Sequence, residues 1–293
     1  MNEKIGPYHV VELPPGRRIW VNTLDLSWPA HTMYGLLEVD VTVPRQLIAE
    51  HKERTGETLS FAGFLTYCLA HAVDEDKTIQ AFRKGDKQLV QFDDVNVGLM
   101  VERKVGEKRA LMGHTVQAAN RKTYREIHDE IRRVQEEPIP PGRGMPSWFR
   151  SIMLWPWPFS RLVIALLRFN NRRDPTIAVS MGGTVALTSV GLFGGGHNGW
   201  GISPTLHPLG LVVGGIAWKP AVVDGRIEPR EMLNLTVSFD HNIVDGAPAT
   251  RFVRRLVELI ESGYGLDEMA EESPSTPDYD HALPSAQDTS HRN

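Results

Sequence analysis

The residues best suited to chemistry lie in one stretch, Asp240-His241-Asn242-Ile243-Val244-Asp245-Gly246. Leu233 to Phe239 alternates apolar and polar residues and reads as a strand, whereas Ala247 to Ser262 has the apolar spacing of an amphipathic helix. His241 therefore stands at a strand end, with Asp245 one helical turn further on and Gly246 opening the helix. An imidazole titrates close to neutral pH, so a histidine held there is suited to taking and returning a proton. H-x-x-x-D-G alone is moderately specific. A core histidine hydrogen-bonded to a carboxylate is the alternative that the structure must exclude.

Other motifs fail on context. Gly194, Gly196 and Gly199 satisfy G-x-G-x-x-G, but Trp200, Gly201 and Pro204 follow where a dinucleotide fold needs a helix. Ala178-Val-Ser180-Met-Gly182 has nucleophile-elbow spacing, yet Gly182 to Val185 reads as continuing strand. No H-E-x-x-H is present and the histidines are scattered, so no metal ligands are nominated. Cys68, the single cysteine, lies on an apolar helical stripe and reads as a packing thiol. It excludes internal disulfides and fits a reducing, cytoplasmic setting.

The elements that position these residues alternate between strand and helix patterns over a chain of 293 residues with 41% hydrophobic and 23% charged residues. Such a chain reads as an α/β fold. Tyr34 to Val43 reads as a strand; Pro44 opens a helix carrying Leu47, Ile48 and His51 and closing near Gly56. Ser60 caps a helix bearing Phe61, Phe64, Leu65, Leu69 and Ala72. Val95 to Val101 and Ala110 to Val116 read as strands, and Thr123 to Val134 as a helix whose charged face (Arg125, Asp129, Glu130, Arg132, Arg133) points to solvent. The net charge of −4 offers no global field for nucleic acid.

The expected organisation is one domain over residues 1–265, with a Trp- and Pro-rich insertion at about 138–174 and a disordered tail over 266–293. Regular patterning is expected to resume only after Asp174. Residues 148–169 are too interrupted by Arg161 and Arg168 to span a bilayer. Their Trp and Phe residues suit contact with a neighbouring subunit or with a membrane surface. Met1 to Gly6 lacks the apolar core of a secretory leader.

Leu235-Thr-Val-Ser-Phe-Asp-His241-Asn-Ile-Val-Asp245-Gly246-Ala-Pro-Ala-Thr-Arg-Phe252 closely resembles the active-site segment of the acyltransferase component of 2-oxo acid dehydrogenase complexes, whose catalytic domain shares the chloramphenicol acetyltransferase fold. Gly182 to Gly194 resembles that family's second signature, and Ser203 to Pro208 through Ile216 its following strand. Looser matches extend the resemblance over about Arg17 to Gly263. It implies a mixed β-sheet with flanking helices, assembled as a homotrimer or a larger assembly of trimers with active sites between subunits. Coenzyme A is implied as a substrate, delivered as acyl-CoA, with no metal.

By the same resemblance His241 is the general base that deprotonates an attacking thiol or hydroxyl. Thr188 donates to the oxyanion, and Asp245 supports the site through a salt bridge to Arg18 or Arg17. Gly246 lets the chain turn closely into the helix. The sequence also departs from the family pattern. No lipoyl-bearing domain is expected ahead of the catalytic portion, Asn242 replaces a frequent arginine, and Arg109 to His114 replaces a usual apolar segment. The acceptor is then a free small molecule or a lipoyl domain supplied in trans. A trimeric scaffold that kept the fold without turnover, binding partners or a membrane, is the rival reading.

Overall fold

The computed structural model describes residues 14, 17, 21, 31–105, 108–137, 151, 154, 155, 157–190, 198–204, 206–267 and 269. Among these, β1 (Thr32–Asp40) leads into α1 (Thr42–Thr55) and α2 (Phe61–Glu75), then a small antiparallel hairpin of β2 (Phe82–Lys84) and β3 (Gln88–Val90). β4 (Val97–Val105), β5 (Lys108–Val116), α3 (Tyr124–Glu136), α4 (Trp157–Arg173) and α5 (Thr176–Gly182) follow. The chain then forms β6 (Val185–Ser189), β7 (Leu209–Val223), β8 (Arg226–Asp240) and α6 (Gly246–Glu261). Six strands make one sheet in the order β1-β8-β7-β6-β4-β5. β6 runs parallel to both β4 and β7, and the other pairings are antiparallel. The expected mixed sheet with flanking helices is therefore what forms.

Local chemistry explains the helix ends. Ser60 caps α2 by accepting the Gly63 N–H at 3.1 Å. Thr123 and Glu126 form a reciprocal capping box at α3, and Gly56 closes α1 at φ 79°. α2 is the buried hub. Phe64, Leu65, Cys68 and Leu69 pack against Tyr124 and Ile127 of α3, Leu256 and Leu259 of α6, and Leu211, Leu233 and Leu235 of the sheet. Fully burying each such aliphatic or aromatic side chain contributes roughly 1.5–3 kcal/mol. Burial pushes the Cys68 thiol far above its ordinary range, as befits a packing residue.

Several expectations are corrected. β1 ends at Asp40, and α1 begins at Thr42 with Pro44 inside its first turn, where a missing N–H is harmless. Of Gly182 to Val185, read as continuing strand, only Val185 belongs to β6; Gly182 ends α5, which also holds Ser180, so Ser180 follows no strand and the elbow geometry is absent for that reason. Regular structure returns before Asp174, because α4 spans Trp157–Arg173. The packed chain runs beyond the expected boundary at 265: Leu266 and Met269 are buried, and Met269 O accepts from Arg54 Nη2 at 2.8 Å. Residues 270–293 of the expected tail lie outside the described residues. No helix among the described residues is long and apolar enough to cross a membrane.

Leu233 to Phe239 alternates in side-chain type but is buried on both faces. Leu235, Val237 and Phe239 meet the helices. Asn234, Thr236 and Ser238 occupy the opposite face and are also at most 1% exposed. The segment 198–202 lies over this face near Asn234. Asn198 Oδ1 accepts from Asn234 Nδ2, Gly199 O accepts the Gly215 N–H at 3.0 Å, and Trp200 Nε1 donates to Leu37 O at 3.0 Å. Gly214 permits this approach, since a Cβ there would meet Gly199 O at 2.4 Å.

Candidate active site

β8, an inner strand, delivers His241 to its C-terminal end, and a tight network holds the turn. The Asp240 N–H donates to Pro208 O at 2.8 Å and the His241 N–H to His31 O at 2.7 Å. Asp240 Oδ1 accepts from both the backbone N–H (2.9 Å) and the side-chain amide (2.6 Å) of Asn242. With its amide nitrogen committed to Asp240, Asn242 offers Oδ1 to His31 Nδ1 at 2.8 Å, so the proton sits on that nitrogen of His31. Asn242 thus has a defined local partner where the family pattern carries an arginine, and His31 had no local sequence signal. The His241 side chain is 49% exposed. A buried core histidine is excluded.

Asp245 Oδ1 lies 3.9 Å from His241 Nδ1, a charge contact rather than a hydrogen bond. Asp245 is 87% exposed and occupies the N-cap position of α6 without a side-chain capping bond. Arg18, its expected partner, lies outside the described residues, and Arg17 is exposed. Gly246 needs correction. A Cβ there would meet nothing within 4 Å and its φ is not in the left-handed region, so the expected backbone requirement is absent from this chain.

Thr188 is on β6, half-buried in the middle of the sheet. Its chain position is set by Gly183, whose φ of 86° is a glycine conformation and whose Cβ would meet Asn96 O at 2.4 Å. Thr184 locks the entry to β6 by accepting the Asn96 N–H at 3.0 Å and donating to Gln80 Oε1 at 2.6 Å. Across the sheet Thr188 pairs with Val212, and Val212 with Thr236. His241 is five residues beyond Thr236. At about 3.3 Å per residue and about 4.8 Å per strand, His241 is roughly 16 Å along the sheet and roughly 10 Å across it from Thr188. One chain does not bring the two together.

Sequence reasoning missed three further polar groups around these residues. Thr236 Oγ1 and Asn234 Oδ1 are buried without a hydrogen-bond partner among the described residues, on the face that also carries Thr188. Their signal was available as the polar half of the strand alternation. His207, just before β7, donates through Nε2 to Gly182 O at 3.0 Å, and burial pushes its imidazole below the usual histidine range.

A second cluster lies away from this site, at the N-terminal end of α2. Glu57 accepts from Arg125 Nη1 at 2.7 Å, from His51 Nε2 at 3.2 Å and from His128 Nε2 at 3.2 Å. Burial alone would raise the Glu57 carboxyl, but hydrogen bonds from Arg125 and His51 outweigh it and hold it at about 2. Burial pushes the His128 imidazole down. The α3 face expected to point to solvent is therefore partly engaged: Arg125 meets Glu57, and Glu130 meets His114 and Lys122. Ligand atoms of Glu57, His128 and Asp129 lie within 4.8 Å of one another, a grouping invisible in the sequence. His128 Nδ1 accepts the Ser60 N–H at 3.0 Å, so Nε2 carries the proton, and Arg125 already neutralises Glu57. The donor set suits an ion-pair cluster and does not fit a cation.

Comparison with known proteins covers most of the chain. It matches the family described as 2-oxoacid dehydrogenases acyltransferase (catalytic domain) over residues 6–138 and 173–266. It is 29% identical over 233 residues to the dihydrolipoyllysine-residue succinyltransferase component of the 2-oxoglutarate dehydrogenase complex of Bartonella vinsonii subsp. berkhoffii, covering 76% of this chain and 46% of that protein. It is 27% identical over 234 residues to the lipoamide acyltransferase component of the branched-chain alpha-keto acid dehydrogenase complex of Bacillus subtilis, covering 78% and 46% respectively. The chain thus spans about half the length of these curated relatives. Among solved structures, dihydrolipoamide acetyltransferase of Azotobacter vinelandii superposes with a TM-score of 0.62 at 20% identity, covering 90% of this chain and 95% of that one. The two share a fold.

Proposed function

The chain belongs to the 2-oxoacid dehydrogenase acyltransferase family, catalytic domain, and from that membership we propose that it moves an acyl group between a coenzyme A thioester and a thiol or hydroxyl acceptor. His241 takes the proton from the acceptor as its sulfur or oxygen attacks the thioester carbonyl. Thr188 donates its hydroxyl proton in a hydrogen bond to the tetrahedral oxyanion, where charge exists only during reaction. Collapse expels the coenzyme A thiolate, which recovers the proton from the imidazolium. The products are acylated acceptor and free coenzyme A, with His241 neutral again.

The observation that carries this reading is the separation of Thr188 from His241 within one chain, on a half-exposed histidine held by the β8 turn. A site using both groups must be shared, so we propose a homotrimer in which Thr188 of one copy faces His241 of the next. Asp245 contributes a nearby negative charge to the imidazole. The relatives' names specify lipoamide and dihydrolipoyllysine substrates; by analogy the acceptor is a dihydrolipoyl thiol, free or on a domain supplied in trans. A cytoplasmic setting is part of the proposal, in keeping with the free thiol of Cys68.

The test is a panel of acyl-CoA thioesters incubated with dihydrolipoamide and with a separate lipoyl domain, read by mass spectrometry of the acceptor. Acylation by wild type and its loss in His241→Ala is the expected result. A folded, assembled protein that transfers no acyl group to either acceptor would contradict the proposal.

A further inference from the structure

α4 is turned the wrong way round for a helix that serves only the core. Phe159, Leu162, Leu166 and Phe169, spaced 3, 4 and 3 residues apart, form one stripe and are 56–60% exposed. The inward side carries Ser160 and Ile164, at 4% and 3% exposure, above β2 and α5. At about 1.5 Å per residue the apolar stripe is roughly 15 Å long. Trp155, 47% exposed, stands just before it.

The charges on α4 itself have one sign. Arg161 and Arg173 are exposed, Arg168 is half-buried, and α4 contains no acidic residue. The nearest acid in sequence, Asp174, is bonded to the backbone N–H and hydroxyl of Thr176, at 3.1 and 2.6 Å. The strand beneath α4 adds exposed Lys84, whereas Arg83 of the same strand meets Asp86 at 3.7 Å. The family match omits residues 139–172, so nearly all of α4 is additional to what the family shares.

We propose that α4 docks this protein onto an anionic lipid surface, with Phe159, Leu162, Leu166 and Phe169 at the acyl boundary and the arginines at the headgroups. An outward apolar arc rimmed by arginine, with an aromatic residue at each end, combines the two contributions to interfacial binding of a helix, buried apolar area and attraction to anionic lipid. A twofold pairing of α4 with a second copy fits less well, because it sets arginines against arginines with no carboxylate on the helix to neutralise them.

The full chain is mixed with vesicles of phosphatidylcholine alone or with an equal share of phosphatidylglycerol, and floated on a density gradient. The protein is expected to float with the anionic vesicles at least about ten-fold more than with the neutral ones, and to lose much of that binding in high salt. Phe159→Ser with Leu166→Ser, and separately Arg161→Glu with Arg173→Glu, are expected to abolish flotation while the melting temperature and the mass by light scattering stay unchanged. No flotation of the wild type with anionic vesicles overturns the proposal. So does a fall in oligomer mass in the serine variant, which would make the stripe a contact between copies. Binding retained by both folded double variants also overturns it.

Discussion

His31 Nδ1 meets Asn242 Oδ1 at 2.8 Å while His31 O accepts the His241 N–H, so the residue before β1 grips both residues at the head of the active-site turn. Asn242 is the middle of that clamp, since its amide also reaches Asp240. Asn242→Ala removes two side-chain hydrogen bonds, each worth about 0.5–1.5 kcal/mol net when buried and less at this exposed turn. We expect a small loss of melting temperature and a larger loss of kcat, because the His241 ring loses its fixed placement. Paired melting curves and steady-state kinetics check this; a variant with unchanged kcat would make the clamp purely structural.

Gly183→Ala is expected to destabilise the protein by about 1–3 kcal/mol, since φ 86° and ψ −176° lie in a region open essentially to glycine. The strain falls immediately before β6, so Thr188 shifts as well. Chemical denaturation gives the stability change, and a value near zero would show that the backbone relaxes without cost.

Glu57 sets a pH dependence of stability. Its folded carboxyl is held at about 2 against an ordinary value of 4.5. A depressed carboxylate stabilises the fold fully above the ordinary value, and that contribution fades as pH falls from about 4.5 toward 2. The gap in melting temperature between wild type and Glu57→Gln should therefore be widest near neutral pH and shrink steadily in acid. A gap independent of pH would remove the charge from the explanation.

Asp245→Asn tests the contact at 3.9 Å. Exposed charge pairs are worth about 0–1 kcal/mol, so the loss in kcat/KM should be no more than about five-fold and should vanish at high salt. A loss of a hundred-fold or more, insensitive to salt, would instead give Asp245 a direct role in the chemistry.

Much of this architecture was legible locally. The Ser60 cap, the periodicity of α2 and α3 and the strand-turn-helix around His241 all follow from residues within a few positions of one another. The alternation of Leu233 to Phe239 correctly separated two faces. What it could not show is that residues 198–202 lie over the polar face, because that contact joins segments about 36 residues apart. The Glu57 cluster was hidden for the same reason: His128 and Arg125 reach it from about 70 residues away. The start of the strand was misplaced at Gly182 because the pair of glycines carries no side-chain signal, and the turn that Gly183 makes at φ 86° between α5 and β6 is set by tertiary context.

The shared site is the central claim and mixed assembly tests it. Thr188→Ala alone should slow transfer by about 10²–10³-fold and His241→Ala by about 10²–10⁴-fold, with donor affinity little changed. The two variants are unfolded together at equal amounts, reassembled, and assayed after mass spectrometry has shown mixed trimers. In each mixed ring one interface pairs an intact His241 with an intact Thr188, so random mixing should restore roughly a quarter of wild-type activity. Neither variant reassembled alone should recover. Mixed trimers that remain as inactive as the separate variants would contradict a site built from Thr188 of one chain and His241 of another.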